Sequence, residues 1–281
     1  MTKIIYPFIA LFLFPGFYLS GQSETVSGSW ADYFKLNKNE ITLGSHHMTH
    51  EEIFSKYSVA FNKAVLKGID IVQEKAPDGG GYFADIKAIP LEAPIGYNLK
   101  IFNNELFNTP RKTSYCSGAT YAAFVEAINI LFPGADSLTK ERAEALRMFE
   151  PDETRREDGI KFWGKWNDDG PGTHFALVQY SGIGRRIKLE EARPGDFMNI
   201  NWIKGGGHSV IFLGWYEDET GKRSLLYWSS QQGTNGIGDQ LVSVERIKSI
   251  VAVRLTNPEN IFTFDPTRQY SRNIQGDPIA K

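Results

Sequence analysis

Cys116 is the only cysteine among 281 residues. It sits in Ser114-Tyr115-Cys116-Ser117-Gly118-Ala119, at the point where an apolar helical pattern begins. A thiol there can attack a carbonyl carbon, but only as thiolate, and at an unperturbed pKa of about 8.5 only about 3% is ionised at neutral pH. A helix N-terminus contributes about 0.3 to 1 kcal/mol, less than about one pKa unit. Chemistry at Cys116 therefore requires an imidazole to take the proton.

The chain has 5 histidines. His208 alone follows a glycine turn, Gly205-Gly206-Gly207, and opens a convincing strand, Ser209-Val210-Ile211-Phe212-Leu213-Gly214-Trp215. It is the candidate general base. The second ring nitrogen then needs an acceptor that fixes the tautomer. On the returning strand Tyr227, Ser229 and Gln231 share one face, and Trp228 and Ser230 the other. Gln231 has a carbonyl oxygen of suitable reach, with Ser229 and then Ser230 as alternatives. The backbone N–H of Cys116 is a candidate oxyanion donor.

The other histidines read differently. His46, His47 and His50 have no acidic or cysteine partner at a recognised metal-ligand spacing and are expected to be solvated loop and first-turn residues. His174 opens an apolar stretch and reads as structural. Trp163 and Trp166 lie in an acidic, Gly-rich segment and read as core or lid packing, with stacking on sugar rings the competing role.

Several elements must position these groups. Tyr121, Phe124, Ile128, Leu131 and Phe132 give one apolar face to the helix opened by Cys116, and Pro133-Gly134 ends it. Thr49-His50-Glu51-Glu52 has the form of a capping box and predicts a helix over about 50–67. A charged helix is expected over 139–149. Residues 82–89 and 95–107 read as extended, after the flexible run Pro77-Asp78-Gly79-Gly80-Gly81. Arg193-Pro194-Gly195-Asp196 is a turn launching an alternating strand, Phe197 to Trp202. Ser243 is placed to cap a short helix through Ile250, with a last strand from Val251 to Leu255 and an irregular tail over 257–281.

Lys3 followed by the apolar run to Leu19, with small residues Ser20 and Gly21, reads as an export signal over 1–21. The run is about sixteen residues and is broken by Pro7, Pro15 and Gly16, short of the roughly 20 that a spanning helix needs. Stable membrane insertion is not expected after cleavage, and the mature chain is expected in the periplasm or outside the cell. With 31 basic and 33 acidic residues and a net charge of −2, there is no electrostatic footprint for nucleic acid. No metal or organic cofactor is implied.

Cys116-Ser117-Gly118 opening a helix, Pro194-Gly195-Asp196 leading into a strand, and Gly207-His208-Ser209-Val210-Ile211-Phe212-Leu213-Gly214 together resemble the NlpC/p60-like cysteine peptidases of the papain-like superfamily. The likeness covers residues 111–256, following a helical, loop-rich extension over 22–110. It implies an α+β fold, with the nucleophile helix packed on a small antiparallel sheet, and hydrolysis of amide bonds, commonly in peptidoglycan stem peptides. Cys116 would be the nucleophile, His208 the base and Gln231 the third polar residue. Ser117 and Tyr115 fall at substrate-binding positions, although Tyr115 stands where the family usually has an Asp associated with the substrate's free amine. A secreted wall- or glycan-binding protein on the same fold without turnover is the alternative, and thiol acyl transfer is a third reading.

Overall fold

The computed structural model describes residues 28–44, 46–76, 81–82, 95–107, 113–146, 173–268 and 274–280. The expected export signal, the segment carrying Trp163 and Trp166, and the extended reading of 83–89 lie outside the described residues. The fold is α+β. Its centre is a six-stranded antiparallel sheet of β3 (Gly184–Ile187), β4 (Phe197–Trp202), β5 (Gly207–Glu217), β6 (Arg223–Gln231), β7 (Gly236–Ser243) and β8 (Ile247–Leu255), in the order β3-β8-β4-β5-β6-β7. β1 (Leu99–Ile101) and β2 (Asn104–Phe107) form a separate hairpin.

This sheet is larger than the small one implied by the resemblance. Gly184–Ile187 and Gly236–Ser243 supply its edges, and neither segment has the unbroken apolar run that marks a strand. The helix expected after Ser243 is a single 3-10 turn, Val244–Arg246, in which the Ser243 hydroxyl accepts from the Glu245 amide. Strand β8 begins immediately afterwards, at Ile247.

Both faces of the sheet are covered, which is why its central strands read as nearly continuous hydrophobic runs. On one face, Phe197, Ile211, Leu213, Leu226, Trp228 and Val253 join a core with α2 (Asn62–Lys75) and α3 (Cys116–Leu131). On the other, Met198, Ile200, Val210, Phe212, Tyr227 and Ala252 pack with Trp30, Tyr33 and Trp215.

Helix α3 starts at Cys116 and stops just before Pro133-Gly134, as its sequence pattern predicts. Two neighbours lock its position. Phe124 meets Phe197 edge to face at 6.4 Å, and a Cβ placed on Gly68 of α2 would come within 2.4 Å of the Ala123 carbonyl oxygen, so the two helices touch backbone to side-chain-free backbone. Helix α4 (Lys140–Ala145) is shorter than predicted within the described residues.

The helix expected over 50–67 is two. α1 runs over His50–Phe54, a 3-10 turn follows, and Ala60 adopts φ +49° before α2 begins at Asn62. The capping box at Thr49 does not form. Asp70 of α2 serves instead, its carboxylate accepting from the His50 and Glu51 amides at 2.9 and 3.0 Å. A carboxylate from a neighbouring helix does the work of a local N-cap, an arrangement absent from local sequence.

The Pro194-Gly195-Asp196 turn is an anchor. Asp196 is fully buried and accepts from Arg254 Nε at 2.8 Å and Nη2 at 2.7 Å, from Asn62 Nδ2 at 2.8 Å and from the Arg193 amide at 2.7 Å. Gly195 has φ +94°, and a Cβ there would lie 2.7 Å from the Asn62 carbonyl oxygen. The motif thus ties the start of β4 to β8 and to α2.

Candidate active site

The ladder between β5 and β6 runs from Glu217 and Arg223 to Ile211 and Trp228, and there it stops. Beyond that point β5 pairs only with β4, and β6 only with β7. The Ser229 hydroxyl donates to the Ser209 carbonyl at 2.6 Å, a side chain standing where a backbone bond would have been. The sheet is therefore parted at the end that carries His208 on one strand and Gln231 on the other.

The N-terminus of α3 is fastened on both sides of this parting. Ser114, two residues before the cysteine, shares a hydrogen bond with Ser230 of β6 at 2.7 Å. Thr120, one helical turn after it, meets Ser209 of β5 at 2.9 Å. Cys116 is half-buried and forms no disulfide. Its sulfur is within electrostatic range of two phenols. Burial, and then the charge of a Cys116 thiolate, push the Tyr82 hydroxyl up. Tyr227 is likewise raised by burial, with Arg246 opposing and Cys116 adding to the rise.

His208 stands against the same Tyr227, ring centroids 5.4 Å apart, with the Trp202 ring at 6.2 Å. By strand parity it shares a face with Val210 and Phe212, opposite to α3, whereas Ser209 and Ile211 face the helix. Burial pushes the imidazole down to about 4, and the neighbouring Gln231 amide works in the other direction. The ring is neutral at pH 7, but a value so far below the operating pH makes it a weak proton acceptor until burial is relieved.

Gln231 donates through Nε2 to Thr234 Oγ1 at 2.5 Å and to the Gly238 carbonyl at 3.1 Å. Its Oε1 and the Nε2 of His208 are both buried, and neither has a hydrogen-bond partner. Of the two alternatives, Ser229 is committed to Ser209 and Ser230 to Ser114. Tyr115 and Ser117 are each 2% exposed, so both side chains are packed inside, while Cys116 between them is half-buried. His174, in a π-helical turn over His174–Tyr180, is pushed down to about 4 by burial and then by Arg186, and lies 3.5 Å from Gln179.

Two histidines are misplaced by sequence reasoning. His50 is completely buried, with Nδ1 2.8 Å from Asp70 and Nε2 2.9 Å from Asp239. His47 stacks on it at 4.1 Å and places Nε2 2.8 Å from the second oxygen of Asp239. His50 opens α1 as expected but is not solvated, and His47 is a loop residue held by a carboxylate, its side chain only partly exposed. Their acidic partners lie on α2 and β7, so no local spacing could show them. Burial favours the neutral His50 ring, but Asp239 and Asp70 overcome this and raise it to about 9. Burial likewise opposes ionisation of Asp239, which the two imidazoles nevertheless hold at about 2.

Against known proteins, no family model, no curated sequence and no solved structure matches this chain.

Proposed function

We propose that this chain is an exported cysteine hydrolase that cleaves amide bonds, with peptidoglycan stem peptides as the substrate class implied by its resemblance to the NlpC/p60-like peptidases. One observation carries the reading. The helix bearing Cys116 is pinned to β5 and β6 on either side of the place where those strands part, and His208 and Gln231 come from those same two strands.

In this reading the parting lets sulfur and imidazole meet. Neutral His208 takes the thiol proton as sulfur attacks the amide carbon, then returns it to the leaving amine. The orphaned Gln231 Oε1 and His208 Nε2 pair when the ring turns, fixing the tautomer. Amides of the first turn of α3, which have no intrahelical acceptor, receive the developing oxyanion. Water then hydrolyses the thioester.

The second reading, a wall- or glycan-binding protein without turnover, is favoured by strand parity, which sets His208 on the face opposite α3. Alkylation separates the two. For the hydrolase, iodoacetamide at pH 6 modifies Cys116 faster in the folded protein than in the unfolded chain, and His208→Ala removes that preference. The purified protein also releases new amines from peptidoglycan fragments, seen by mass spectrometry, and Cys116→Ala does not. A thiol that stays inert until the protein unfolds rejects the hydrolase.

A further inference from the structure

A second cluster shares no residue with the thiol site. His47 and His50 both turn Nε2 toward one carboxylate, that of Asp239, and the three ligand atoms lie within 4.8 Å of one another. Each imidazole also meets an oxygen at its other ring nitrogen. Nδ1 of His50 is 2.8 Å from Asp70 Oδ1, and Nδ1 of His47 is 2.8 Å from Thr49 Oγ1. Two Nε2 atoms set against the two oxygens of one carboxylate, with both Nδ1 atoms engaged by oxygen, bring together the donor atoms of a metal site and partners that can orient its histidines.

The frame around these residues comes from β7, α1, α2 and the loop that carries His47. Asp239 is on β7, Asp70 on α2, and the loop carrying His47 is sewn to both. Gly44 exchanges backbone hydrogen bonds with Asp239 at 3.0 and 3.3 Å, and Gln73 of α2 donates to the His47 carbonyl at 3.0 Å. Gly238 permits this approach, since a Cβ there would sit 2.6 Å from the Gly44 carbonyl oxygen. Thr42 adds its hydroxyl to Asp239. His50 and Asp239 are fully buried, while the His47 side chain is 24% exposed and gives an ion its way in.

We infer that His47, His50 and Asp239 form a binding site for one divalent transition-metal ion, zinc by ligand preference, with a water completing the coordination. Two imidazoles and a carboxylate are a borderline set that suits zinc better than calcium or magnesium, which take oxygen ligands. The two buried carboxylates, Asp239 and Asp70, are balanced in charge by a dication ligated by two neutral imidazoles. Ligand atoms about 2.0 to 2.1 Å from a tetrahedral ion are roughly 3.3 Å apart. The imidazole–Asp239 contacts of 2.8 and 2.9 Å must therefore open by about 0.4 to 0.5 Å, and a ligand pair as far apart as 4.8 Å must close by about 1.5 Å, movements available to His47 on its loop. On binding, the ion displaces to solvent the proton that His50 shares with Asp239. It then clamps His47 and His50 against β7.

The experiment is zinc titration of the full chain carrying Cys116→Ser, so that the thiol cannot be the ligand. Metal content after dialysis, isothermal titration and thermal unfolding are read with and without chelator. The expected result is one zinc per chain, with melting raised by about 5–10 °C at hundredfold excess over Kd. Affinity should fall by about a hundredfold or more in His47→Gln, whose amide can still donate to Asp239. Cobalt in place of zinc should give the visible bands of a four-coordinate ion. Absence of stoichiometric binding in the folded protein overturns the inference, as does binding that His47→Gln leaves unchanged. In either case the cluster is a buried charge network only.

Discussion

At the scale of single residues, the proposed chemistry turns on how burial sets the charge of His208. Its folded pKa of about 4 lies below the ordinary histidine value, so between those two values the unfolded chain binds a proton that the folded one refuses. Stability contributed by this group is present above the unfolded pKa and falls as pH drops from about 6.5 to about 4, by about 3 kcal/mol in all. Urea unfolding across that range should show the loss, and His208→Asn should flatten the slope. His174 shifts in the same direction and adds to the acid sensitivity of the wild type, so the variant keeps a smaller residual slope. A slope identical in variant and wild type would place the ring in water rather than in the core.

Elements matter through contacts that leave no room. Gly68 is where α2 meets the backbone of α3, and its neighbours on α3 are the alanines that follow the cysteine's first turn. Gly68→Ala improves helix propensity, yet its methyl would meet the Ala123 carbonyl at 2.4 Å. Sterics win, and the variant should lose about 1–3 kcal/mol in urea unfolding. Because α3 carries Cys116, the same change should shift the sulfur relative to β5 and β6 and slow its alkylation in the folded state. That Gly68 of another helix meets the backbone of Ala123 and Ala127 was not legible in the sequence, since the two helices are joined only by packing.

For the molecule as a whole, the ion pair of Asp196 with Arg254 ties β4 and β8 to α2 beneath the helix layer. Arg254→Met leaves a buried carboxylate with only Asn62 and an amide for company and should cost about 3–5 kcal/mol. The double variant Asp196→Asn, Arg254→Met should recover much of that loss, because no unpaired charge remains buried. Differential scanning calorimetry of the three proteins checks both statements, and a double variant no better than the single one would show that shape, not charge, is what the pair supplies.

The sequence alone determined the local elements: a helix opening at Cys116 and ending at Pro133-Gly134, strands from Phe197 and from the glycine turn before His208, and the alternation along Phe197 to Trp202. These follow from periodicity, caps and turn residues, which act over a few positions and are written in order along the chain. Tertiary structure decided the edge strands β3 and β7, the break between α1 and α2, the parting of β5 from β6, the face that His208 takes, and the meeting of His50 with Asp70 and Asp239. Each of these joins residues far apart in the chain, through carboxylates, parity and close backbone approach. Such contacts exist only once the layers have packed, so no local pattern carries them.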